Sequence, residues 1–251
     1  PVASVAPAAS AAPAGSAAAA PTAIAAPAGA TPAASFPLEI ADATGKIFKF
    51  DKAPKIGCLW FGCVEIMADL GVVPHAGNGT AEQLKSPFWF PHGPPQPSIT
   101  DFNNAEQWAA AGVELIITRG PASPSSEALT VAAPVFYLHG FSSSNLSGLA
   151  EFVENTRIMG KLTGTPGQAE AAIQRFERAL ANLKQVAPPG IAGTTIAVIF
   201  ASDAYTVVAP DQPFCDVIAR NGLGACAAIA APGKTSSVEI NAEEFLKLNP
   251  T

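Results

Sequence analysis

Charged residues are scarce in this sequence, and positive charge is the scarcer sign. Among 251 residues only 14% are Asp, Glu, Lys or Arg, and 14 basic side chains face 20 acidic ones for a net charge of −6. This balance offers no basic patch for phosphate groups and argues against nucleic acid as a partner. No apolar run reaches the roughly 18 residues that a membrane-spanning helix needs. The low charge indicates much buried or partner-covered surface.

The sequence also has no motif of a common catalytic machinery. It lacks a Gly-x-Ser-x-Gly elbow, a Walker loop and a Gly-x-Gly-x-x-Gly that opens a helix. The pair Gly222 and Gly224 has neither the third glycine nor a preceding strand. Among the 20 acidic residues no pair is marked out as an acid/base couple. We therefore expect a protein that is not an enzyme.

The 4 cysteines form two local pairs, Cys58 with Cys63 and Cys215 with Cys226. Neither pair has Cys-x-x-Cys spacing, and no His lies beside either of them in sequence. In an oxidising compartment each pair would close a short loop by a disulfide and reduce the entropy of the unfolded chain. Free buried thiols and a metal site are the alternatives.

Residues 1–35 form an uncharged segment of Ala, Pro, Ser, Gly and Thr with few larger aliphatics. Such a segment cannot bury enough apolar surface to offset its ordering entropy, so we predict a linker or tail. Its spaced prolines favour extended polyproline II. With no initiator Met and no basic region, a signal peptide is expected to have been removed already. An arbitrary boundary of the chain is the alternative.

In the remaining residues, predicted strands alternate with predicted helices, which indicates mostly parallel sheets. Apolar residues of the clearest helix, Pro166–Val186, step by four, three, four and three, and Pro166 stands at its first position. The other predicted elements are a hairpin at 38–40 and 47–50, strands at 54–59, 72–73, 115–118, 135–138 and 195–200, and helices at 64–70, 104–112, 147–162, 216–220 and 242–248, with a long loop over 74–100.

This order resembles the substrate-binding proteins of ABC importers that capture ferric siderophores, haem or cobalamin. The hairpin at 38–50, the helix at 62–71, the αβ unit at 104–118 and the helix at 165–186 carry the resemblance. It implies an α/β fold of two Rossmann-like lobes with mostly parallel sheets, bridged by one long helix that allows little hinge motion. The implied domains are a tail (1–35), an N-terminal lobe (36–164), the bridging helix (165–187) and a partial C-terminal lobe (188–251), because relatives continue for roughly 50 further residues.

In that family an acidic residue on each lobe meets arginines of the membrane permease. Glu106 stands at the expected position of the first lobe, although a Glu in a first helical turn is also explained by the helix dipole. At the second-lobe position the sequence has Ala219 and Arg220, so the docking contact is expected at Asp216, one turn earlier. The resemblance thus implies Glu106 and Asp216 as permease-docking residues.

Ligand contacts are expected in loops at the carboxyl ends of strands, where clefts form in open α/β sheets. Exposed aromatic rings there would stack on a porphyrin, a corrin or a catecholate, and Arg119 would pair with a negative charge. A loop core or a protein interface are the alternatives for the segment 88–92, and a structural role is the alternative for its histidine. The predicted ligand-binding residues are Trp60, Phe61, Trp89, Phe90, His92, Arg119 and Tyr205.

The sequence therefore predicts an extracytoplasmic receptor, in the periplasm or at the cell surface, with no intrinsic cofactor. Its expected ligand is a ferric chelate or a tetrapyrrole, either a siderophore, haem or cobalamin. Its expected macromolecular partner is an ABC permease or a larger envelope assembly, with the N-terminal tail as a candidate tether. The alternative is a structural or assembly subunit that retains the fold and has lost transport.

Overall fold

The structure is a computed structural model that describes residues 36–78, 97–120, 123–140, 148–197, 199–201, 205–208, 213–227 and 237–247. All of these belong to one compact unit of the chain, Thr31–Thr251. The predicted linker at 1–35 lies outside the described residues.

The described elements alternate between strands and helices, as the sequence predicts. The helices are α1 (Phe61–Asp69), α2 (Ala105–Ala110), α3 (Pro124–Ala128), α4 (Gly148–Thr163), α5 (Pro166–Val186), α6 (Pro213–Arg220) and α7 (Ala242–Lys247). The strands are β1 (Leu38–Ala41), β2 (Ile47–Phe50), β3 (Ile56–Cys58), β4 (Ala76–Asn78), β5 (Ser98–Ile99), β6 (Leu115–Arg119), β7 (Val135–Leu138), β8 (Thr195–Ile196), β9 (Ile199–Ala201), β10 (Tyr205–Val208), β11 (Ala225–Cys226) and β12 (Ser237–Ile240). In the described part of the chain no helix is both long and apolar enough to cross a bilayer.

The centre of the fold is a 5-stranded sheet in the order β5-β4-β3-β6-β7. Every neighbouring pair in this sheet is parallel. Parallel strands need crossovers that cover both faces, so their residues are apolar without alternation. All four residues of β7 are buried, and so are the first four of β6. The α/β fold class and the parallel pairing predicted for this region are confirmed.

Two hydrophobic cores cover the two faces of this sheet. On one face Leu115, Ile117, Phe136 and Leu138 pack with the apolar sides of α1 and α4 and with the hairpin. On the other face Ile116, Val135 and Tyr137 pack with Trp108 of α2 and with the 3-10 turn Leu129–Val131. The alternation along β6 and β7 distributes their side chains between the cores, as the period of two in a strand requires.

The indole of Trp108 is fully buried over β3, and the space for it exists because residue 57 is a glycine. A Cβ atom at Gly57 would lie 2.8 Å from Cζ3 of Trp108 and 2.9 Å from Cγ1 of Val113. The indole Nε1 donates to the carbonyl of Phe102 at 3.0 Å, so its one polar group is satisfied. Trp108 thereby fixes the segment after β5 against the central sheet.

The hairpin of β1 and β2 is fastened to β7 by one buried carboxylate. Asp42 is 6% exposed, and its Oδ1 accepts hydrogen bonds from Thr44 N at 2.9 Å, Thr44 Oγ1 at 2.6 Å and Lys46 N at 3.0 Å. Its Oδ2 accepts from the backbone N–H of Tyr137 at 3.4 Å, and Ala43 N donates to the carbonyl of Tyr137 at 2.8 Å. The carboxylate of Asp42 therefore accepts hydrogen bonds both from the hairpin turn and from the edge strand β7.

The helices α4 and α5 form an antiparallel pair joined at Gly164, which has φ +77°. A Cβ at Gly160 would lie 2.5 Å from Cβ of Ala169, so the glycine lets the two backbones approach closely. The prediction of Pro166–Val186 agrees with the bounds of α5. Thr165 precedes the helix, but its side chain does not cap it; its hydroxyl lies 2.7 Å from that of Thr163.

In the first half of the chain one strand prediction was wrong and one loop prediction was incomplete. Residues 72–73 form no strand, because Val72 N–H bonds to the carbonyl of Met67 at 2.9 Å and ends α1 together with Gly71 at φ +72°. The predicted loop 74–100 contains β4 and β5, and its residues 79–96 lie outside the described part. The helix predicted at 64–70 begins earlier, at Phe61, and the short α3 was not predicted.

The predicted strand at 195–200 is divided between two sheets. β8 pairs in parallel with β11, whereas β9 pairs antiparallel with β10, which also pairs antiparallel with β12. The described strands of this region are thus mixed, in contrast to the central sheet. α6 packs against α4, and a disulfide joins Cys215 of α6 to Cys226 of β11. The lobe boundaries at 164 and 187 stay predictions.

Replacement of Asp42 by alanine should lower the free energy of unfolding by about 2–4 kcal/mol, because it leaves buried N–H groups without an acceptor. Urea unfolding followed by circular dichroism measures the change. Asp51→Ala removes an exposed carboxylate from the end of β2 and is the matched control. Equal midpoints for the two variants would show that Asp42 does not fasten the hairpin.

Candidate functional site

The candidate site lies at the point where the order of the central sheet reverses. From β3 the chain moves outward through β4 to β5, then returns to the other side of β3 to form β6 and β7. The loops after β3 and β6 consequently leave in opposite directions and open a crevice between them. Leu59 N donates to the carbonyl of Ile117 at 2.9 Å, so the two strands remain paired up to the edge of this crevice.

A short turn after β3 carries two aromatic side chains into the crevice. Trp60 precedes α1 in an extended conformation, and Phe61 is the first residue of that helix. A disulfide between Cys58 and Cys63 closes the turn from both ends, and both cysteines are fully buried. The ring of Trp60 lies directly over Gly62, where a Cβ would overlap it. The disulfide therefore holds the turn covalently, and the Trp60 ring can occupy its position because residue 62 has no side chain.

The last residue of β6, Arg119, faces the turn from the other side of the crevice. Its guanidinium carbon lies 5.2 Å from the centre of the Trp60 ring, within the range of a cation–π contact. Burial lowers the pKa of Arg119, while the Glu151 carboxylate acts in the opposite direction. Burial likewise raises the pKa of Glu151, opposed by Arg119. The two groups thus form an electrostatic pair beside the crevice.

Polar groups from two further loops complete the lining. Ser123 and Ser126 form a reciprocal capping box at the start of α3, with their hydroxyls 2.8 Å apart. Ser125 Oγ lies 3.1 Å from Ser123 Oγ, and Ser126 Oγ lies 3.1 Å from the hydroxyl of Tyr137. After β5, Asn103 is exposed and Phe102 is 49% exposed at the mouth of the crevice.

Together these residues enclose an open cavity of about 370 Å³. The volume falls in the range of about 300–1,000 Å³ that is typical of small-molecule sites. The lining combines aromatic rings, hydroxyl groups, an amide and one guanidinium. Its lining residues are Leu59, Trp60, Phe61, Phe102, Asn103, Thr118, Arg119, Ser123, Ser125 and Ser126.

The structure brings three of the predicted ligand-binding residues, Trp60, Phe61 and Arg119, to this cavity. Trp89, Phe90 and His92 lie outside the described residues. Tyr205 is the first residue of β10, and its side chain also lies outside them. Contact of any of these residues with a ligand stays a prediction.

The cysteine pairs predicted from their spacing, Cys58–Cys63 and Cys215–Cys226, are disulfides in the structure. Among the described residues no group of three or more His, Cys, Asp and Glu side chains could hold a metal ion. The backbone of His139, after β7, is held by Asn155, whose Oδ1 accepts from His139 N at 2.9 Å. Tyr137 is 6% exposed and is not among the residues that line the cavity.

The two predicted docking residues have different surroundings. Glu106 is exposed in the first turn of α2, where Asn104 Oδ1 accepts from its backbone N–H at 2.9 Å. Asp216 is paired with Arg220 one turn later, and its Oδ2 is buried without a hydrogen bond. The carboxylate of Glu106 is thus accessible from solvent, whereas Asp216 would first have to release Arg220 to bind a partner. Docking at either residue stays a prediction.

Sequence reasoning missed the polar half of the cavity. Thr118 was predicted only as the end of a strand, and Phe102 and Asn103 lie between the loop predicted over 74–100 and the helix predicted at 104–112. The Ser-Pro-Ser-Ser run at 123–126 carries a detectable signal, because Ser before Pro is typical of a helix start. The fold, which sets this start beside β3, was needed to make it part of a site. The lining residues that were not predicted are Leu59, Phe102, Asn103, Thr118, Ser123, Ser125 and Ser126.

No protein-family model matches the chain, and no curated protein matches it in sequence. Solved structures do share its fold. The triscatecholate siderophore binding protein FeuA from Bacillus subtilis, complexed with ferri-bacillibactin, has a TM-score of 0.68 and 16% identity over 85% of this chain and 74% of that chain. The siderophore binding protein BauB, bound to two acinetobactin molecules and ferric iron, has a TM-score of 0.64 and 14% identity over 85% and 74%.

The heme binding protein HmuT has a TM-score of 0.62 and 18% identity over 90% of this chain and 73% of that chain. An ABC transporter substrate-binding protein from Listeria monocytogenes is also similar, with a TM-score of 0.54. The resemblance stated from the sequence is therefore confirmed at the level of the fold. The chain has the fold of the siderophore- and haem-type substrate-binding proteins of ABC importers.

Gly62→Ala should displace the Trp60 ring from its position over residue 62 and break its contact with Arg119. Alanine favours a helix by up to about 1 kcal/mol over glycine, so the displacement is expected without a loss of stability. Near-ultraviolet circular dichroism and the tryptophan emission maximum measure the change. Gly193→Ala, at a position with open space around it, is the control. Unchanged spectra for Gly62→Ala would contradict the described position of Trp60.

Proposed function

We propose that this protein is the extracytoplasmic substrate-binding component of an ABC importer for an iron chelate or a tetrapyrrole. The observation that carries the proposal is the cavity at the sheet reversal, which joins Trp60, Phe61 and Arg119 in one lining. Flat conjugated ligands stack on aromatic rings, and their polar edges bind donors such as a guanidinium. Siderophores, haem and cobalamin all combine these two kinds of surface.

The chemistry of the lining supports binding rather than catalysis. The serine hydroxyls bond to one another, to backbone and to Tyr137. Within the described lining no serine is bonded to a His, a Lys or a carboxylate, so none is arranged as an activated nucleophile. These hydroxyls are instead suited to donating hydrogen bonds to a bound molecule.

The fold supports the transport context of the proposal. Its structural neighbours include binding proteins for siderophores and haem and an ABC transporter component. The 21 residues of α5 form a continuous helix of about 31 Å, which is suited to a receptor with little hinge motion. A permease would be the macromolecular partner, with the exposed Glu106 as one contact. No cofactor is needed beyond the transported ligand.

The test is a tryptophan-fluorescence titration of the full chain with haemin, cyanocobalamin and ferric siderophores. We expect saturable quenching by one class at micromolar or tighter affinity, because Trp60 lines the cavity. Trp60→Phe should remove part of the quenching and Trp60→Phe/Trp89→Phe most of it, since the third tryptophan, Trp108, is fully buried beneath the sheet. If no ligand quenches the folded protein, the receptor function is refuted and the fold serves in a structural or assembly subunit.

Arg119→Gln should weaken binding of the ligand found in this way by about 10–100-fold, because a charge-assisted hydrogen bond and a contact with Trp60 are lost together. Titration by the same fluorescence change measures the dissociation constant. Arg178→Gln removes an exposed cation from α5 and is the matched control. Equal affinities for the two variants would place the ligand away from Arg119.

A further inference from the structure

We propose that the cavity selects electrically neutral metal complexes, with Glu151 as the built-in counter-charge of Arg119. The inference rests on the proposed function and narrows its substrate class. The fitting ligand is a complex whose surface presents amide and hydroxamate oxygens, such as a ferric tris-hydroxamate. A trianionic ferric tris-catecholate is the class that the cavity excludes.

The charge of the described lining is the first reason. Arg119 is the one charged side chain among the described lining residues, and the others are aromatic, aliphatic, hydroxyl or amide groups. A ligand with several negative charges would therefore meet a single cation among the described lining residues. The net charge of −6 of the whole chain would add repulsion on approach.

The position of Glu151 is the second reason. Glu151 lies in the first turn of α4 and is 3% exposed. Asn155 lies one helical turn later on the same face of α4. Its side-chain amide binds the backbone of the loop after β7: Oδ1 accepts from His139 N at 2.9 Å, and Nδ2 donates to His139 O at 3.1 Å. This face of α4 is thereby fixed against the carboxyl edge of the sheet.

The same edge carries Arg119. Arg119 pairs with Leu138 in the ladder of β6 and β7, and Gly120 N donates to the carbonyl of Leu138 at 2.8 Å. His139, whose backbone is hydrogen-bonded to Asn155, directly follows Leu138. The pairing of β6 with β7 and the position of Glu151 on α4 therefore place its buried carboxylate near the half-buried guanidinium of Arg119. The effect of each group on the pKa of the other agrees with this placement.

A buried carboxylate changes what Arg119 can do for a ligand. The positive charge of the guanidinium is already balanced, and each negative charge that enters the cavity is repelled by Glu151. The N–H donors of a guanidinium exceed what one carboxylate can accept, so the group still binds neutral oxygens. Ser125 and Asn103 offer further donors for carbonyl and hydroxamate oxygens, and Trp60 and Phe61 offer apolar contact.

The experiment compares ferrichrome, a neutral ferric tris-hydroxamate, with ferric enterobactin, a trianionic tris-catecholate, and with cyanocobalamin, which is neutral and rich in amides. Dissociation constants are measured with the full chain by quenching of its tryptophan fluorescence. We expect the wild type to bind a neutral complex at least about tenfold more tightly than ferric enterobactin. Comparison of ferrichrome with cyanocobalamin shows whether the preferred neutral ligand is a ferric siderophore or a cobalamin.

Glu151→Gln should shift the ratio of dissociation constants toward ferric enterobactin by about tenfold or more, because Arg119 loses its counter-charge. Glu127→Gln removes an exposed carboxylate from α3 and controls for the change in net charge. Circular dichroism and urea unfolding show whether Glu151→Gln folds. If it does not, the double variant Arg119→Gln/Glu151→Gln keeps the charge balance and should retain the preference for the neutral complex.

The outcomes separate this inference from the function on which it rests. Tighter binding of ferric enterobactin by the wild type, or the same selectivity in Glu151→Gln and Glu127→Gln, overturns the charge selection and leaves the receptor function standing. Binding of cyanocobalamin alone keeps the neutral class and rejects the iron chelate. No quenching by these complexes or by haemin refutes the receptor function and the inference together.

Discussion

The reversal of strand order between β3 and β6 is the constraint on which the rest of the structure depends. Parallel strands are joined by crossovers of one hand, so a chain that builds outward from β3 and then restarts at β6 must leave a gap between the two departing loops. Hydrophobic cores on both faces make the sheet rigid. The gap is therefore a fixed feature of the fold, and the side chains that enter it determine which molecules fit.

The residues around this gap are held in position by three different kinds of interaction. A disulfide closes the turn that carries Trp60, a capping box sets the serine hydroxyls of α3, and Asn155 ties α4 to the end of β7. None of the three depends on the others. A cavity supported in this way is preformed, and preformed sites cost less ordering entropy when they bind.

Long periodic elements were predictable from sequence, and short ones were not. The bounds of α5 and β7 follow from apolar spacing over many residues or from an uninterrupted apolar run. By contrast, β4 contains no β-branched residue and is a strand because Ala76 and Gly77 pair with β3. The apolar run at 195–200 is divided because its ends pair with different strands. The aromatic half of the site follows directly after a strand and was predicted, whereas its polar half required the tertiary neighbours of Ser123 and Asn103.

The contact between Gly57 and Trp108 has a consequence for the divergence of related sequences. The indole occupies the space that any side chain at 57 would need, so neither position can change alone without a cavity or an overlap. A relative with alanine or valine at 57 should carry a smaller ring or an aliphatic residue at 108. Residues 57 and 108 can therefore be used together to align the first strand of the sheet, and the helix that covers it, in distantly related sequences.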